Sequence, residues 1–486
     1  MLQVNIVLAS GRSENLSIEQ SSKVGDLKSL AQNCFARGRL RLLAADGRAL
    51  LDLSQSLQDA GLQEGDTLTA IAREAKIAAT HRAFAFWCLG EDRIVTWGSP
   101  DCGGNSSPAR GLLRNLQEIR GNESAFAALG DGSVVTWGEE EGGGDSSLVQ
   151  DQLRGVLQIQ ATNSAFAAIL DDGSVVAWGH AGNGGDSSAV KGQLRNVQQV
   201  QATVRAFAAV LADGSVVTWG NAGYGGDSSA VQDRLRNVQQ IQATQRAFAA
   251  ILSDGSVVTW GDPDFGGDSS AVQHQLKNVH HVQASHRAFA AILADGLVVT
   301  WGDPEYGGNN SAVQAHVTNA LQVQATSCAF AAIMADGSVV SWGSPDGGGD
   351  SSAVKDQLRN VWQVQATFEA FAAILADGSV VTWGNGAYGG DSSTVQDRLR
   401  NVQQIQATHR AFAAILSDGS VVAWGAPDYG GDSSSVQDQL RTVQQIQRTQ
   451  HAFAAMLSDG SVITWGSRMY GGDCSRVQDQ LQKLYV

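Results

Sequence analysis

The chain has 486 residues, enough for more than one domain, and 48 acidic against 33 basic side chains give a formal charge of −15. That balance argues against a nucleic-acid surface, which needs a basic stripe to displace counterions, and favours a solvated acidic body or a basic protein partner. Five cysteines without shared spacing predict neither disulfides nor a zinc site, and no run is apolar enough to span a membrane or act as a signal peptide, so a reducing interior, cytoplasm or nucleus, is expected.

Residues 1–76 carry no repeat and are expected to form a domain of their own. Leu2 to Leu8 alternates as a strand, Ser10 to Ser13 turns, and Glu14 to Glu19 returns as a second strand. Ser22 stands at an N-cap position, with Val24, Leu27, Ala31, Cys34 and Phe35 following at helical spacing. Arg39 to Leu43 reads as a strand, Asp46 and Gly47 as a turn, and Asp66 to Ile71 as the closing strand. This order resembles the ubiquitin-like β-grasp family, whose strand, turn and hydrophobic position match Arg41 to Leu43, Asp46-Gly47 and Leu50, and whose approach to the last strand matches Gly65 to Leu68. The resemblance implies an exposed apolar recognition patch on Leu43 and Ile71, with Arg41 and Arg48 beside it. After Ile71 the chain runs through Arg73 to Lys76 without a terminal Gly-Gly, so such a module could recognise partners but could not be conjugated to a lysine.

From Ile77 to Val486 one unit recurs. Its core in the fifth copy is AFAAILSDGSVVTWG, Ala247 to Gly261, and the closing tryptophans from Trp97 to Trp465 are 41 residues apart at every step but the first, which is 40. A fixed period of that length marks a repeat architecture. Asp254-Gly255 joins two short strands as a hairpin, and Val238 to Thr244 alternates as a third. Gly266 to Leu276 opens with glycines and an Asp-Ser-Ser that can cap a short helical turn anchored by Val272 and Leu276. A lone hairpin cannot bury its apolar face, so the tryptophans, each contributing about 2–3 kcal/mol on full burial, should lie between neighbouring units. The expected class is mainly β: the small α+β domain, then a β-propeller of ten 41-residue repeats over 77–486, with an open β-solenoid as the alternative. The first unit starts where the last leaves off, so the termini are expected to meet in one blade, in a monomer.

The repeated Asp-Gly-x-Val-x-x-Trp-Gly core, clearest from Ala206 onward, resembles the repeat of the chromosome-condensation-regulator (RCC1-like) family of propellers. That family typically has seven blades of longer repeats, whereas this chain has ten short ones, and the family's Gly-Gln-Leu-Gly is here Gly-Gly-Asp-Ser-Ser.

Between copies, Asp-Gly and Trp-Gly barely change, whereas the pair before Ala-Phe-Ala and the loop after Trp-Gly vary. Strands running up, down and up would put both variable places on one face, opposite the Asp-Gly turns. Candidate anchors for a protein client on that face are Arg205, Arg246, Arg287 and Arg410 with Tyr224, Phe265, Tyr306, Tyr388, Tyr429 and Tyr470. Signals for chemistry are weaker. Asp262, Asp264 and Asp268 have full calcium-loop spacing in one unit alone, Gly220, Gly223, Gly225 and Gly226 precede no Lys-Ser/Thr, and His280, His281 and His286 have no acid or cysteine at ligand spacing. No catalytic group, metal or cofactor is expected. The two domains together read as a non-catalytic adaptor, the first docking on a ubiquitin-pathway receptor and the second holding a client. The resemblance also implies two alternatives: guanine-nucleotide exchange on a small GTPase, for which no unit holds a wedge-length insertion, or a partner-recruiting subunit of a HECT-type ubiquitin ligase.

Overall fold

A computed structural model describes residues 1–8, 11–35, 40–50, 52, 54–72 and 74–484. Ser10, Arg39, Arg73 and Val486, which figure in the expectations above, lie outside the described residues, as does the side chain of Arg41.

In the first domain β1 (Leu2–Leu8) and β2 (Ser13–Ile18) form a hairpin, α1 (Val24–Phe35) follows, and β3 (Leu40–Leu43) and β4 (Thr67–Ala72) complete a sheet in the order β2-β1-β4-β3. Parallel pairing of β1 with β4, Ile6 opposite Leu68, puts strands distant in sequence at the centre. Period-two alternation sends Val4, Ile6, Leu68 and Ala70 to one face, which shares a core with Val24, Leu27, Ala31 and Phe35 of α1. Two details depart from expectation. The helix begins at Val24, where the Asp26 carboxylate holds its first turn by accepting the Lys23 N–H at 2.9 Å. Cys34 is exposed, because Phe35 one residue on takes the core position.

Ten three-stranded antiparallel sheets follow. The first is β5 (Ala75–Ala79), β6 (Ala83–Cys88) and β7 (Ile94–Gly98); the fifth, typical of the rest, has an inner strand Val238–Ala243, a middle strand Ala247–Leu252 and an outer strand Val257–Gly261. Phe248 and Trp260 are cross-strand neighbours whose rings stack at 5.2 Å. The indole Nε1 of Trp260 donates to the carbonyl of Gly225, in the loop of the preceding unit, at 3.0 Å. Gly225 has φ +89, and a Cβ there would lie 2.6 Å from Cδ2 of Phe248, so the seam needs glycine on both counts. On the far face, the carbonyl of Gly255 in the Asp-Gly turn accepts the N–H of Val279 at 2.8 Å and fixes the start of the next inner strand.

The connector opens with an Asx turn, Asp268 Oδ1 accepting the Ser270 N–H at 2.8 Å, and Gln273 Nε2 ties it back to Val257 O at 2.9 Å; in other units the expected short helical turn follows, as at Ser229–Arg234 and Ser434–Gln439. Leu276 is buried behind it, with Val272 packed alongside.

The same contacts join the tenth blade to the first. Trp97 Nε1 donates to Gly471 O at 3.0 Å, and Ala452 and Ala454 share one core with Phe84, Phe86 and Trp97. The ring is therefore a closed ten-bladed propeller, and the open solenoid is ruled out by its own closing seam. Leu481 and Leu484 pack in that seam beside Ala75 and Ile77, so the last connector leads to β5, which supplies the inner strand.

Replacing Gly225 by alanine should lower the urea midpoint by the equivalent of about 2–5 kcal/mol, from a left-handed backbone plus overpacking. Gly223→Ala, in the same loop but with Asn221 Oδ1 at 3.4 Å as the sole neighbour of the added Cβ, should leave the midpoint nearly unchanged.

Candidate functional site

Opposite the Asp-Gly turns, the first turn of each blade lies against the loop that leaves its outer strand. Asp262 N donates to Arg246 O at 3.0 Å. Thr244 Oγ1 donates to Phe265 O at 2.9 Å and accepts the Ala247 N–H at 3.0 Å. This hydroxyl clamp sets the loop aromatic beside the arginine of the turn.

The four arginines and six aromatic residues singled out above fall into two arcs. In the first, Arg205 lies over Tyr224 at 5.0 Å, Arg246 between Tyr224 and Phe265 at 4.7 and 4.6 Å, and Arg287 between Phe265 and Tyr306 at 4.8 and 4.6 Å. In the second, Arg410 lies between Tyr388 and Tyr429 at 4.5 and 5.0 Å. Two residues not singled out extend it: the His451 ring sits between Tyr429 and Tyr470 at 3.9 and 3.7 Å, and Arg82 lies over Tyr470 at 5.1 Å. Arg82 and His451 vary with the same pair of positions as Arg205 and Arg246, which is the signal that could have found them.

Each guanidinium shared by two rings is held flat by contacts of about 0.5–1 kcal/mol apiece while its edge stays open to solvent. Asp262 and Asp303 approach Arg246 and Arg287 at 3.5 and 3.7 Å from one side. Phe265 is buried and the tyrosines are half-buried, so the aromatics are at once blade packing and arginine platform. Between the arcs the pairs are small: a Cβ on Gly347 would lie 2.3 Å from Cys328 Sγ, and one on Gly142 2.3 Å from Ser124 Oγ.

Nearer the axis, the residue before each of these positions forms a wheel. The backbone N–H of His81 donates to Glu123 O, that of Glu123 to Asn163 O, and so on blade by blade until Gln450 N donates to His81 O, at 2.9 to 3.2 Å throughout. The side chains converge: Gln450 Nε2 meets His81 Nδ1 at 2.7 Å, Gln245 Nε2 meets His286 Nδ1 at 3.1 Å, and Phe368 lies between His286 and His409. Burial, with the charge of Arg448 next, pushes His81 and His409 down to about 4. Glu123, 3.7 Å from His81, is pushed the other way by burial, against the Asn163 amide that holds its carboxylate, so the contact joins a neutral imidazole to a carboxyl rather than an ion pair.

Asp262, Asp264 and Asp268 do not converge on a common point: Asp262 Oδ1 accepts the Asp264 N–H at 3.1 Å and Asp268 serves its own turn. In the first domain Leu43, half-buried, and Ile71, exposed, both lie on the sheet face turned away from α1. Arg41 pairs with Ile71 along the strands, while Arg48 is tied down by Ala60 O at 3.0 Å and Asp46 at 3.6 Å.

No protein-family model matches the chain, and no curated protein does. Among solved structures, Prp20p from Saccharomyces cerevisiae, described with its binding to Gsp1p and histones, is 17% identical over 55% of this chain and 82% of its own, with a TM-score of 0.32. Human WBSCR16 is 16% identical over 49% of this chain and 79% of its own, at 0.30. Caldiarchaeum subterraneum ubiquitin matches 15% of this chain and 94% of its own at 25% identity, at 0.14. Likenesses this distant carry no argument about activity, and the ring stands on its own hydrogen bonds.

The depressed histidines make a pH prediction. In the unfolded chain they take up protons near pH 6.5, whereas in the ring His81 and His409 stay neutral to about 4. Stability is therefore full above the unfolded value and falls as pH drops through that window. The groups facing them are Glu123, Arg82, Arg448, His286 and His451. The urea midpoint should fall between about pH 7.5 and pH 5, and His81→Gln with His409→Gln should shrink the fall; an unchanged fall would place the titration elsewhere.

Proposed function

We propose that this chain is a non-catalytic protein-interaction adaptor: the arginine-aromatic face of the ring holds a protein client, and the first domain docks on a ubiquitin receptor through Leu43 and Ile71. The observation that carries the reading is the pair of arcs. Arginine and tyrosine are the side chains that dominate binding energy at protein interfaces, and here they are held in place before any partner arrives. The ring's acidic excess gives the rim around them a second, charged character suited to a partner with basic segments flanking its contact. Among the described residues no helix is long and apolar enough to cross a membrane.

Full-length protein, the Arg246→Ala, Arg287→Ala variant and the Leu43→Glu, Ile71→Glu variant should be compared by capture from lysate and mass spectrometry, with the affinities of recovered proteins then measured. The arc variant is expected to cost a client about 2 kcal/mol or more, roughly thirtyfold in Kd, while ubiquitin receptors stay bound. The Leu43, Ile71 variant should do the reverse. If both variants keep every partner, the adaptor reading fails; if the ring captures a GTPase and speeds its nucleotide release, exchange replaces it.

A further inference from the structure

The axial channel holds a charge that the adaptor reading does not use. Where each inner strand ends, eight blades place alanine, among them Ala243 and Ala407, and the second places Gly121; the tenth places Arg448. The side chain enters a cavity of about 540 Å³ walled by alanines and by threonine hydroxyls that are engaged with backbone carbonyls, with Asn163, Gln245, Ser327 and His409 at its mouth. Arg448 is exposed to the solvent-filled axis, while the protein packed around it pushes its pKa down with no carboxylate acting to raise it. Among the described residues it forms no side-chain hydrogen bond or ion pair. Glu123, the carboxyl of the wheel, is committed to the Asn163 amide.

A guanidinium is a planar fork of donors that stays charged, and this one stands on the ring axis with its donors unpaired. Every other blade shows that the ring closes without it. We propose that the axial channel is a binding site for a small oxyanion, a carboxylate or phosphate group gripped in bidentate fashion by Arg448, with the amides and hydroxyls at the mouth completing its coordination.

The decisive comparison uses the full chain and Arg448→Ala, which restores the residue of the neighbouring blades and so leaves the fold intact. Inorganic phosphate and acetate are titrated separately by calorimetry at constant ionic strength made up with chloride, and the urea midpoint is read with and without each. The expected result is saturable binding of at least one anion, weakened about tenfold or more in Arg448→Ala and less in Arg448→Lys. With oxyanion present the wild-type midpoint should rise and that of the variant should not. Phosphate alone binding would assign a phosphoryl ligand, and acetate binding a carboxylate. No saturable binding of either, or equal binding and equal midpoint gains in wild type and Arg448→Ala, would overturn the proposal and leave Arg448 a structural cation.

Discussion

The seam between two blades is the interaction on which the molecule depends. An indole N–H on one unit reaches a glycine carbonyl on the unit before it, and a phenylalanine ring packs where a side chain on that glycine would stand. Neither half is satisfied within a single 41-residue unit: the buried indole nitrogen would lack an acceptor, and an isolated three-stranded sheet would expose Phe248 and Trp260. Stability is thus a property of neighbours, as in other repeat arrays, with the difference that a closed ring has no terminal unit to cap. Closure by Trp97 and Gly471 also leaves no blade with an unpartnered face.

Identical seams have a functional consequence, because they confine variation. The middle and outer strands are committed to Ala-Phe-Ala and Trp-Gly, and the Asp-Gly turn is committed to the next inner strand through Gly255 and Val279. What is left free is the two-residue turn and the loop beside it, locked together by the Thr244 hydroxyl. A rigid scaffold carrying side chains that differ blade by blade is the arrangement in which binding surfaces arise. The arcs from Arg205 to Tyr306 and from Tyr388 to Arg82 are that freedom in use, and the small pairs Cys328 with Gly347 and Ser124 with Gly142 mark where it is not.

Much of the candidate face was legible because the repeat supplies its own comparison: ten copies expose which positions the fold holds constant. Arg246 and Phe265 could be named together because they flank the same hairpin. Arg82 and Tyr470 could not be paired in that way, since they lie at opposite ends of the chain and meet only across the closing seam; His451 flanks the same hairpin as Tyr470, but its second ring, Tyr429, belongs to the preceding unit. Cys34 was misplaced because helical spacing tolerates either of two adjacent residues, and the fit of Phe35 into the sheet face decided between them.

The sequence by itself determined the local unit and the division of the chain: the alternating strand, the Asp-Gly hairpin, the glycine-opened connector, and a first domain of different pattern. These follow from backbone sterics and side-chain periodicity within a few residues. Only the tertiary structure decided that ten units close on themselves, because closure depends on the small rotation accumulated at each seam, which no single unit encodes. The same is true of the axis. Arg448 is a lone arginine where the other inner strands end in alanine or glycine, and it is the convergence of ten strands that brings its charge to the axis and shifts the histidines around it.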